Sequence, residues 1–176
     1  MKTEGITLEI EGIMETARAM CVAARTAPKA HGADNLFVAL LTGEEKEEVV
    51  TEMRRIGETP GAAFFVRDAN NVHNAEALVL IGTRIKTLGI PACGFCGFKD
   101  CKDNEKHGAV CAFNTNDLGI AVGSAVSVAA DRRVDSRVMF SAGRAAVNLH
   151  SLGVEVRVAL GIPLSASGKS PFFDRK

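Results

Sequence analysis

The stretch Leu36–Leu41, LFVALL, followed at once by Thr42–Glu45, TGEE, decides the fold class. Six consecutive apolar residues are typical of a strand that is buried on both faces. Thr42 and Glu45 have the spacing of a capping box, which predicts a helix over Glu44–Ile56. A buried strand that leads directly into a helix indicates a chain that mixes both types of element.

The segments on either side continue this alternation. Apolar residues recur near a period of 3.6 over Ile6–Thr26, which predicts a first helix. The same criteria predict strands over Leu78–Gly82 and Val154–Leu160 and helices over Leu118–Ala130 and Val138–Leu149. Ala62–Val66 fits a strand or a helix. We therefore expect one α+β (mixed α/β) domain over residues 1–176, with helices packed around a central sheet.

Composition excludes several classes of function. Lys plus Arg and Asp plus Glu balance at 21 each, so no basic excess points to nucleic acid. The longest apolar stretches, such as Ala75–Gly82 and Gly119–Ala130, are shorter than the ~20 residues of a membrane span. Met1–Ile10 does not have the pattern of a secretory signal, and five cysteines without such a signal indicate a reducing compartment, the cytoplasm.

A cysteine-rich segment, Leu88–Asn116, lacks any regular period, and we expect it to be a functional loop inserted in the domain. Asn114–Asp117 then offers side chains that cap the following helix. In that helix, the Gly119-x-x-x-Gly123 spacing is better explained by close helix packing than by a cofactor-binding turn.

Four cysteines of this segment, Cys93, Cys96, Cys101 and Cys111, have the spacing C-x2-C-x4-C-x9-C. Gly94 and Gly97 provide the unusual dihedral angles of a tight turn, and their N–H groups can face thiolate sulfur. Four thiolates bind an iron–sulfur cluster or a structural zinc ion. We favour a [4Fe–4S] cluster, because only the first three cysteines lie close together, whereas structural zinc often uses two short pairs.

The remaining candidates have simpler explanations. Cys21 lies on the apolar face of the first helix, where packing in the core explains it. His107 is an alternative ligand between Cys101 and Cys111, although a solvated loop histidine is the simpler interpretation.

Across nearly its whole length the chain resembles the ferredoxin-domain-containing proteins of the DUF2148 family. The cysteine motif C-G-x-C-G-x-x-x-C also resembles the entry motif of [4Fe–4S] domains in corrinoid and electron-transport proteins. The segments that carry the DUF2148 resemblance, besides the cysteine segment, are Ala23–Ala30, Phe65–Asn70, Val79–Gly82, Cys111–Asn114, Asp117–Ser124, Gly161–Ser165 and Phe173–Arg175.

More remotely, the chain resembles the flavin-dependent nitroreductases, in the order Ala23–Ala30 then Leu36–Leu41 and in the Gly161-Ile-Pro163 exit from the last strand. The resemblance implies a nitroreductase-like sandwich, a homodimer and a flavin (FMN) at its interface. Met1–Ile13 contains no arginine, so the arginine-rich entry that binds the flavin phosphate in those enzymes has no counterpart here.

Two cations near the end of the first helix, Arg25 and Lys29, are candidates to bind a flavin phosphate. They are also the charges that a helix dipole favours at its C-terminus without any ligand.

These observations predict an iron–sulfur protein that transfers single electrons, with a redox partner or small-molecule substrate that the residues do not identify. The alternatives are a zinc-binding structural module and a flavin-dependent reductase of nitroreductase type. An oxidoreductase activity is compatible with the first and last of these, and no hydrolase constellation is present.

Overall fold

The computed structural model of the protein describes residues 2–173. Asp174 and Arg175, which belong to the last segment of the DUF2148 resemblance, lie outside the described residues. The helices are α1 (Gly5–Thr26), α2 (Gly43–Gly57), α3 (Phe64–His73), α4 (Cys101–Lys106), α5 (Ala112–Asp131) and α6 (Phe140–Asn148), with a short 3₁₀ turn at Ala30–Gly32. The strands are β1 (Leu36–Leu41), β2 (Ala77–Arg84), β3 (Asp135–Ser136) and β4 (Val156–Ser165).

The four strands form one antiparallel sheet in the order β1-β2-β4-β3. β2 is central and buried along almost its whole length, which explains its near-continuous apolar sequence. In the register, Leu36 pairs with Thr83 of β2, and Leu80 of β2 pairs with Gly161 of β4. The ladder between β2 and β4 is irregular between Thr83 and Arg84, at the point where the chain leaves the sheet for the cysteine segment.

Two apolar cores lie on opposite faces of the sheet. On one face, α1 and α5 pack against Val79 and Ile162. On the other face, α2, α3 and α6 pack against Leu78 and Leu80. Alternate residues of β2 thus serve opposite cores, as the period of two in a strand requires. The result is a sandwich of helices around a central sheet, so the predicted α+β fold class is confirmed.

The strongly periodic segments are predicted well. α1, β1, α2, β2 and α6 lie where the sequence predicts them, with bounds that differ by at most two residues. None of the helices described for residues 2–173 is long and apolar enough to cross a bilayer.

The predicted capping box is wrong in its chemistry. Thr42 is the N-cap residue of α2, but its side chain makes no capping hydrogen bond. Ala62–Val66, which fitted either type of element, leads into helix α3.

The prediction that Leu88–Asn116 is an irregular loop is wrong at two places. α4 begins at Cys101, because the side chain of Asp100 accepts a hydrogen bond from the Asp103 N–H (2.9 Å) and so caps a helix of only six residues. α5 begins at Ala112 with Cys111 as its N-cap, so Asn114–Asp117 lies inside the helix rather than capping it.

The last strand continues beyond its predicted end. Gly161 and Pro163 lie within β4 instead of forming its exit. The Gly161 N–H donates to Met139 O (3.0 Å), so the N–H group of Gly161 points toward the β3 side of the strand. The backbone N of every second residue along β4 points the same way. Pro163 faces the same side, between the Ser136 pair and the Met139 bridge, so its missing donor removes no bond from the ladder with β2.

Candidate metal centre

The four predicted ligands, Cys93, Cys96, Cys101 and Cys111, all line one cavity of about 360 Å³. The first two lie in the turn before α4, the third is the first residue of α4, and the fourth is the N-cap of α5. Cys111 is buried, whereas the other three thiols are partly exposed. Three separate pieces of backbone thus bring their cysteines to one space.

Glycine conformations shape the turn that holds Cys93 and Cys96. Gly94 and Gly97 have φ values of 54° and 84°, in the left-handed region that glycine adopts without steric cost. The Gly97 N–H donates to Gly94 O (2.9 Å), which closes the turn. These dihedral angles agree with the tight turn predicted from the sequence, while the contact of the glycine N–H groups with thiolate sulfur stays a prediction. Ala92 has φ of 54° as well, a conformation that costs a non-glycine residue about 1 kcal/mol.

Two buried asparagines tie the helices of this region to the rest of the chain. Asn104, on α4, donates from Nδ2 to Val110 O (3.2 Å) and accepts the Ala109 N–H at its backbone oxygen (3.1 Å). Asn114, on α5, accepts the Lys86 N–H at Oδ1 (2.8 Å). The first contact closes the loop between α4 and α5, and the second fixes the start of α5 to the chain that leaves β2.

Each asparagine also has one buried polar atom without a partner. These atoms are Asn104 Oδ1 and Asn114 Nδ2. From the sequence, Asn114 is expected only to cap α5, and Asn104 is not singled out. The available signal was spacing, because each asparagine follows a cysteine by three positions, in Cys101-x-x-Asn104 and Cys111-x-x-Asn114. On a helix, that spacing places both side chains on one face.

Aromatic rings cover part of the cavity. Phe95 and Phe113 both line it, and their ring centroids are 5.0 Å apart. Phe98 also lines the cavity and contacts the His107 ring, at 5.4 Å between centroids. Phe95 remains 60% exposed, so it shields the space from one side only.

The four thiols share one cavity without converging on a single point. Within residues 2–173, no three His, Cys, Asp or Glu side chains are grouped closely enough to ligate one metal ion. Tetrahedral zinc with Zn–S bonds of about 2.3 Å needs sulfur atoms within roughly 4 Å of one another. In a [4Fe–4S] cluster each iron takes one cysteine, so the thiolates surround a larger group. Both a cluster and a zinc ion would take these four thiols as ligands.

The other sequence candidates lie outside this cavity. Cys21 is on α1, half-buried against the core, and burial raises the pKa of its thiol. His107 ends α4, and its Nδ1 lies 2.8 Å from Asp103 O instead of lining the cysteine cavity.

Arg25 and Lys29 are both engaged within the chain. Arg25 forms an ion pair with Asp34 (2.5 Å) and donates to Leu36 O (2.6 Å). Lys29 Nζ donates to Arg25 O and Ala27 O (2.6 and 2.9 Å), where it satisfies carbonyls at the end of α1. The contacts of Lys29 match the helix-terminal role, whereas Arg25 joins α1 to Asp34 and to the start of β1. The assignment of both cations to a flavin phosphate stays a prediction.

Comparison with known proteins identifies the family. A protein of Archaeoglobus fulgidus, described as "Uncharacterized protein", is 41% identical over 174 residues, which cover 94% of this chain and 92% of the relative. Residues 107–175 match the family described as "Uncharacterized protein containing a ferredoxin domain (DUF2148)". The chain belongs to the DUF2148 family. The matched range of this DUF2148 protein includes Cys111, while the other three cysteines of the cavity precede it.

Solved structures show the fold of this DUF2148 protein. A nitroreductase with bound FMN from Desulfitobacterium hafniense superposes with a TM-score of 0.61 at 13% identity, over 88% of this chain and 78% of that one. A nitroreductase family protein from Clostridium novyi gives a TM-score of 0.59 at 12% identity, over 86% and 73% of the two chains. The nitroreductase-like fold predicted from the sequence is confirmed.

Proposed function

We propose that this protein is an iron–sulfur redox protein that holds a [4Fe–4S] cluster on Cys93, Cys96, Cys101 and Cys111. The observation that carries the proposal is that all four thiols line one cavity. The ferredoxin domain in the description of its family agrees with this assignment.

When bound, the cluster supplies one-electron transfer. The residues of the chain hold it and adjust its environment. Gly94 and Gly97 let the backbone turn tightly beside the space that the cysteines line. Backbone N–H groups that face the sulfur atoms would tune the reduction potential. Phe95, Phe98 and Phe113 limit the access of water, which also affects the potential.

Zinc on the same four thiolates is the first alternative. It would order the segment between β2 and α5 without redox chemistry, because zinc has no accessible second oxidation state. The thiols would have to move to a common centre, since no three of the possible ligand side chains in residues 2–173 are grouped around one point.

A flavin-dependent reductase is the second alternative, and it rests on the fold. The Desulfitobacterium hafniense nitroreductase that shares this fold is described with bound FMN. If FMN binds here, Arg25 and Lys29 would have to exchange their present carbonyl and Asp34 contacts for the flavin phosphate.

Anaerobic purification followed by analysis of iron, acid-labile sulfide and zinc tests these assignments. We expect about four iron and four sulfide per chain and a brown protein. The chain has no Trp and no Tyr, so a bound chromophore dominates its spectrum. A colourless protein with stoichiometric zinc would favour the first alternative, and a yellow protein with green fluorescence would favour the second.

Two cysteine variants form a matched pair for this test. Cys96→Ala removes one proposed ligand, so we expect loss of the colour and of most iron. Cys21→Ala removes a thiol on α1 that packs against the apolar core, and we expect this variant to retain iron and sulfide at the parent level. Retention of colour and iron by Cys96→Ala would contradict the ligand assignment.

We also propose that the protein is a homodimer that packs through the outer face of α5. A Cβ at Gly119 or Gly123 would meet no atom within 4 Å, and Ile120 between them is 39% exposed. From Leu118 to Ala130 the helix carries no charged residue. An uncharged outer face with two glycines where an added Cβ would meet no atom allows a second helix to approach closely. In a two-fold symmetric dimer, α5 of another copy provides that second helix.

A cytoplasmic location is the remaining part of the proposal. Thiolates that bind iron must stay reduced, and the cytosol maintains free thiols. All five cysteines of the chain are unpaired.

A further inference from the structure

A second cavity, of about 580 Å³, lies beside the cysteine cavity. The two share Thr87 and Asn104 in their walls, so the second cavity borders the space that the four cysteines line. None of the four candidate cysteine ligands and none of the buried apolar core residues lines this second cavity. Its walls come from β4, from the chain that follows β2, and from α4 with the loop after it.

The charges around this second cavity are unbalanced. Lys86 and Arg157 both line it and both are exposed. Within residues 2–173 neither side chain makes a hydrogen bond or an ion pair, in contrast to the nearby Arg84, which bonds to Asn35 and Glu155. Glu105 is the one carboxylate among the lining residues, and it accepts a hydrogen bond from the Thr87 hydroxyl. The cavity wall thus holds two cations without a partner and one carboxylate that already accepts a hydrogen bond. This excess of positive charge favours binding of an anion.

A buried acceptor belongs to Asn104, a residue that lines both cavities. Asn104 is 1% exposed, and its Nδ2 is held by Val110 O (3.2 Å), which fixes the orientation of the amide. Its Oδ1 has no partner. A buried acceptor without a donor is costly, and a ligand with an O–H or N–H group would remove that cost.

We propose that this second cavity binds a small organic anion, a carboxylate or a phosphate ester, that also carries a hydroxyl or N–H donor. Lys86 and Arg157 bind the anionic group, and Asn104 Oδ1 accepts the donor. The inference goes beyond the proposed redox function and requires only the contacts above. If the cluster also binds as proposed, the ligand lies next to it, in the position of a substrate.

Titration calorimetry with three probes tests the site on the anaerobically purified full chain. Glycolate carries a carboxylate and a hydroxyl, acetate carries the carboxylate alone, and glycerol phosphate replaces the carboxylate by a phosphate ester. We expect saturable binding of glycolate or glycerol phosphate, with the tighter of the two identifying the anionic group. We expect acetate to bind at least tenfold more weakly than glycolate if the carboxylate is preferred, because it cannot satisfy Asn104 Oδ1.

Three variants locate the binding. Lys86→Met and Arg157→Met should each weaken the tighter probe by tenfold or more. Lys106→Met removes an exposed cation of α4 that lines neither cavity, and it should bind as the parent does. All three positions are exposed, so circular dichroism should show an unchanged fold.

Three results would overturn the proposal: an equal loss of affinity in Lys106→Met, no preference for donor-carrying probes over acetate, or no saturable binding of any probe up to about 10 mM, the weak end of measurable affinity. Iron and sulfide are measured on the same samples. A protein that lacks the cluster yet binds the anion contradicts only the proposed function, and the reverse result contradicts only this site.

Discussion

Lys46 carries its charge into the protein interior, where it is 6% exposed. Its Nζ donates to the carbonyl oxygens of Val72 (3.0 Å), His73 (2.8 Å) and Ala75 (2.8 Å). These carbonyls lie at and just after the end of α3, where a helix leaves acceptors without intrahelical donors. The ammonium also lies 3.0 Å from Glu47 Oε1. A single side chain thus satisfies the end of one helix from another.

The substitution Lys46→Met tests this role, because it keeps an unbranched side chain only one atom shorter and removes the donor. We expect the free energy of unfolding to fall by about 2–4 kcal/mol, since several carbonyls lose a charged donor while they stay buried. Equilibrium urea denaturation measures the change. Lys106→Met, an exposed change, should stay within about 0.5 kcal/mol of the parent. Similar stabilities for the two variants would contradict the capping role.

Glu52 makes the stability depend on pH. Arg55 donates to both of its oxygens (2.6 and 2.8 Å), and Asn148 donates to Oε1 (2.6 Å). The hydrogen bonds from Arg55, opposed by burial and aided by Asn148, hold the pKa of Glu52 below its usual value. A lowered pKa in the folded state stabilises the fold above the unfolded value of about 4.3, and this contribution is lost as pH falls through the folded value.

Glu52→Gln should therefore flatten the acid side of the stability profile. Between about pH 5 and pH 3, we expect its free energy of unfolding to fall less steeply than that of the parent. Urea denaturation at a series of pH values gives both slopes. Glu48→Gln, an exposed change on the same helix, should keep the parent slope. A Glu52→Gln profile parallel to that of the parent would rule out this contribution.

At the scale of elements, α6 lies against the backbone of β4 at a glycine. A Cβ on Gly143 of α6 would lie 1.9 Å from Ala159 O and 2.3 Å from Ala159 C. Both are backbone atoms of β4, so no side-chain rotation can relieve the overlap. Gly161 of β4 has a similar constraint, because its Cβ would lie 2.6 Å from the Ala142 side chain. Glycine on both surfaces lets the helix lie directly on the strand.

Gly143→Ala is expected to lower the free energy of unfolding by about 3 kcal/mol or more, since α6 would have to move away from the sheet. Gly12→Ala provides the control, because a Cβ there would meet no atom within 4 Å and α1 would gain helix propensity. We expect that change to stabilise the protein by roughly 0.5–1 kcal/mol. Thermal and urea denaturation of both variants decide the point, and a tolerated Gly143→Ala would contradict the packing described.

How well an element can be predicted from the sequence depends on its length and on how regular its apolar pattern is. α1 has a clear apolar period over 22 residues, and β1 is an unbroken apolar run, so both were predicted. α4 has six residues and depends on the Asp100 cap, so it is too short for an apolar period to reveal it in the sequence. α5 begins earlier than predicted, because Asn114 and Asp117 are buried in its first turns, where they bond to Lys86 N and Ala30 N. Those partners are distant in sequence.

At the scale of the whole molecule, the proposed α5 interface makes a direct prediction. We expect the parent to have about twice the mass of its 18.6 kDa chain in size-exclusion chromatography with light scattering. Ile120→Glu places a charge at the centre of the uncharged face and should give a monomer. Val154→Glu, at a site that is 74% exposed, should remain dimeric. A monomeric parent, or a dimeric Ile120→Glu, would contradict this interface.

The sequence by itself determined the alternation of helices and strands and the α+β class, and it singled out four cysteines as candidate ligands. These follow from local patterns, because apolar period, glycine turns and cysteine spacing act over a few residues. The tertiary structure decided which distant groups meet. It brought Cys111 to the cavity of Cys93, and it placed Arg157 of β4 in the wall of the same cavity as Lys86. Such contacts between distant residues depend on how whole helices and strands pack, and a short stretch of sequence does not contain that information.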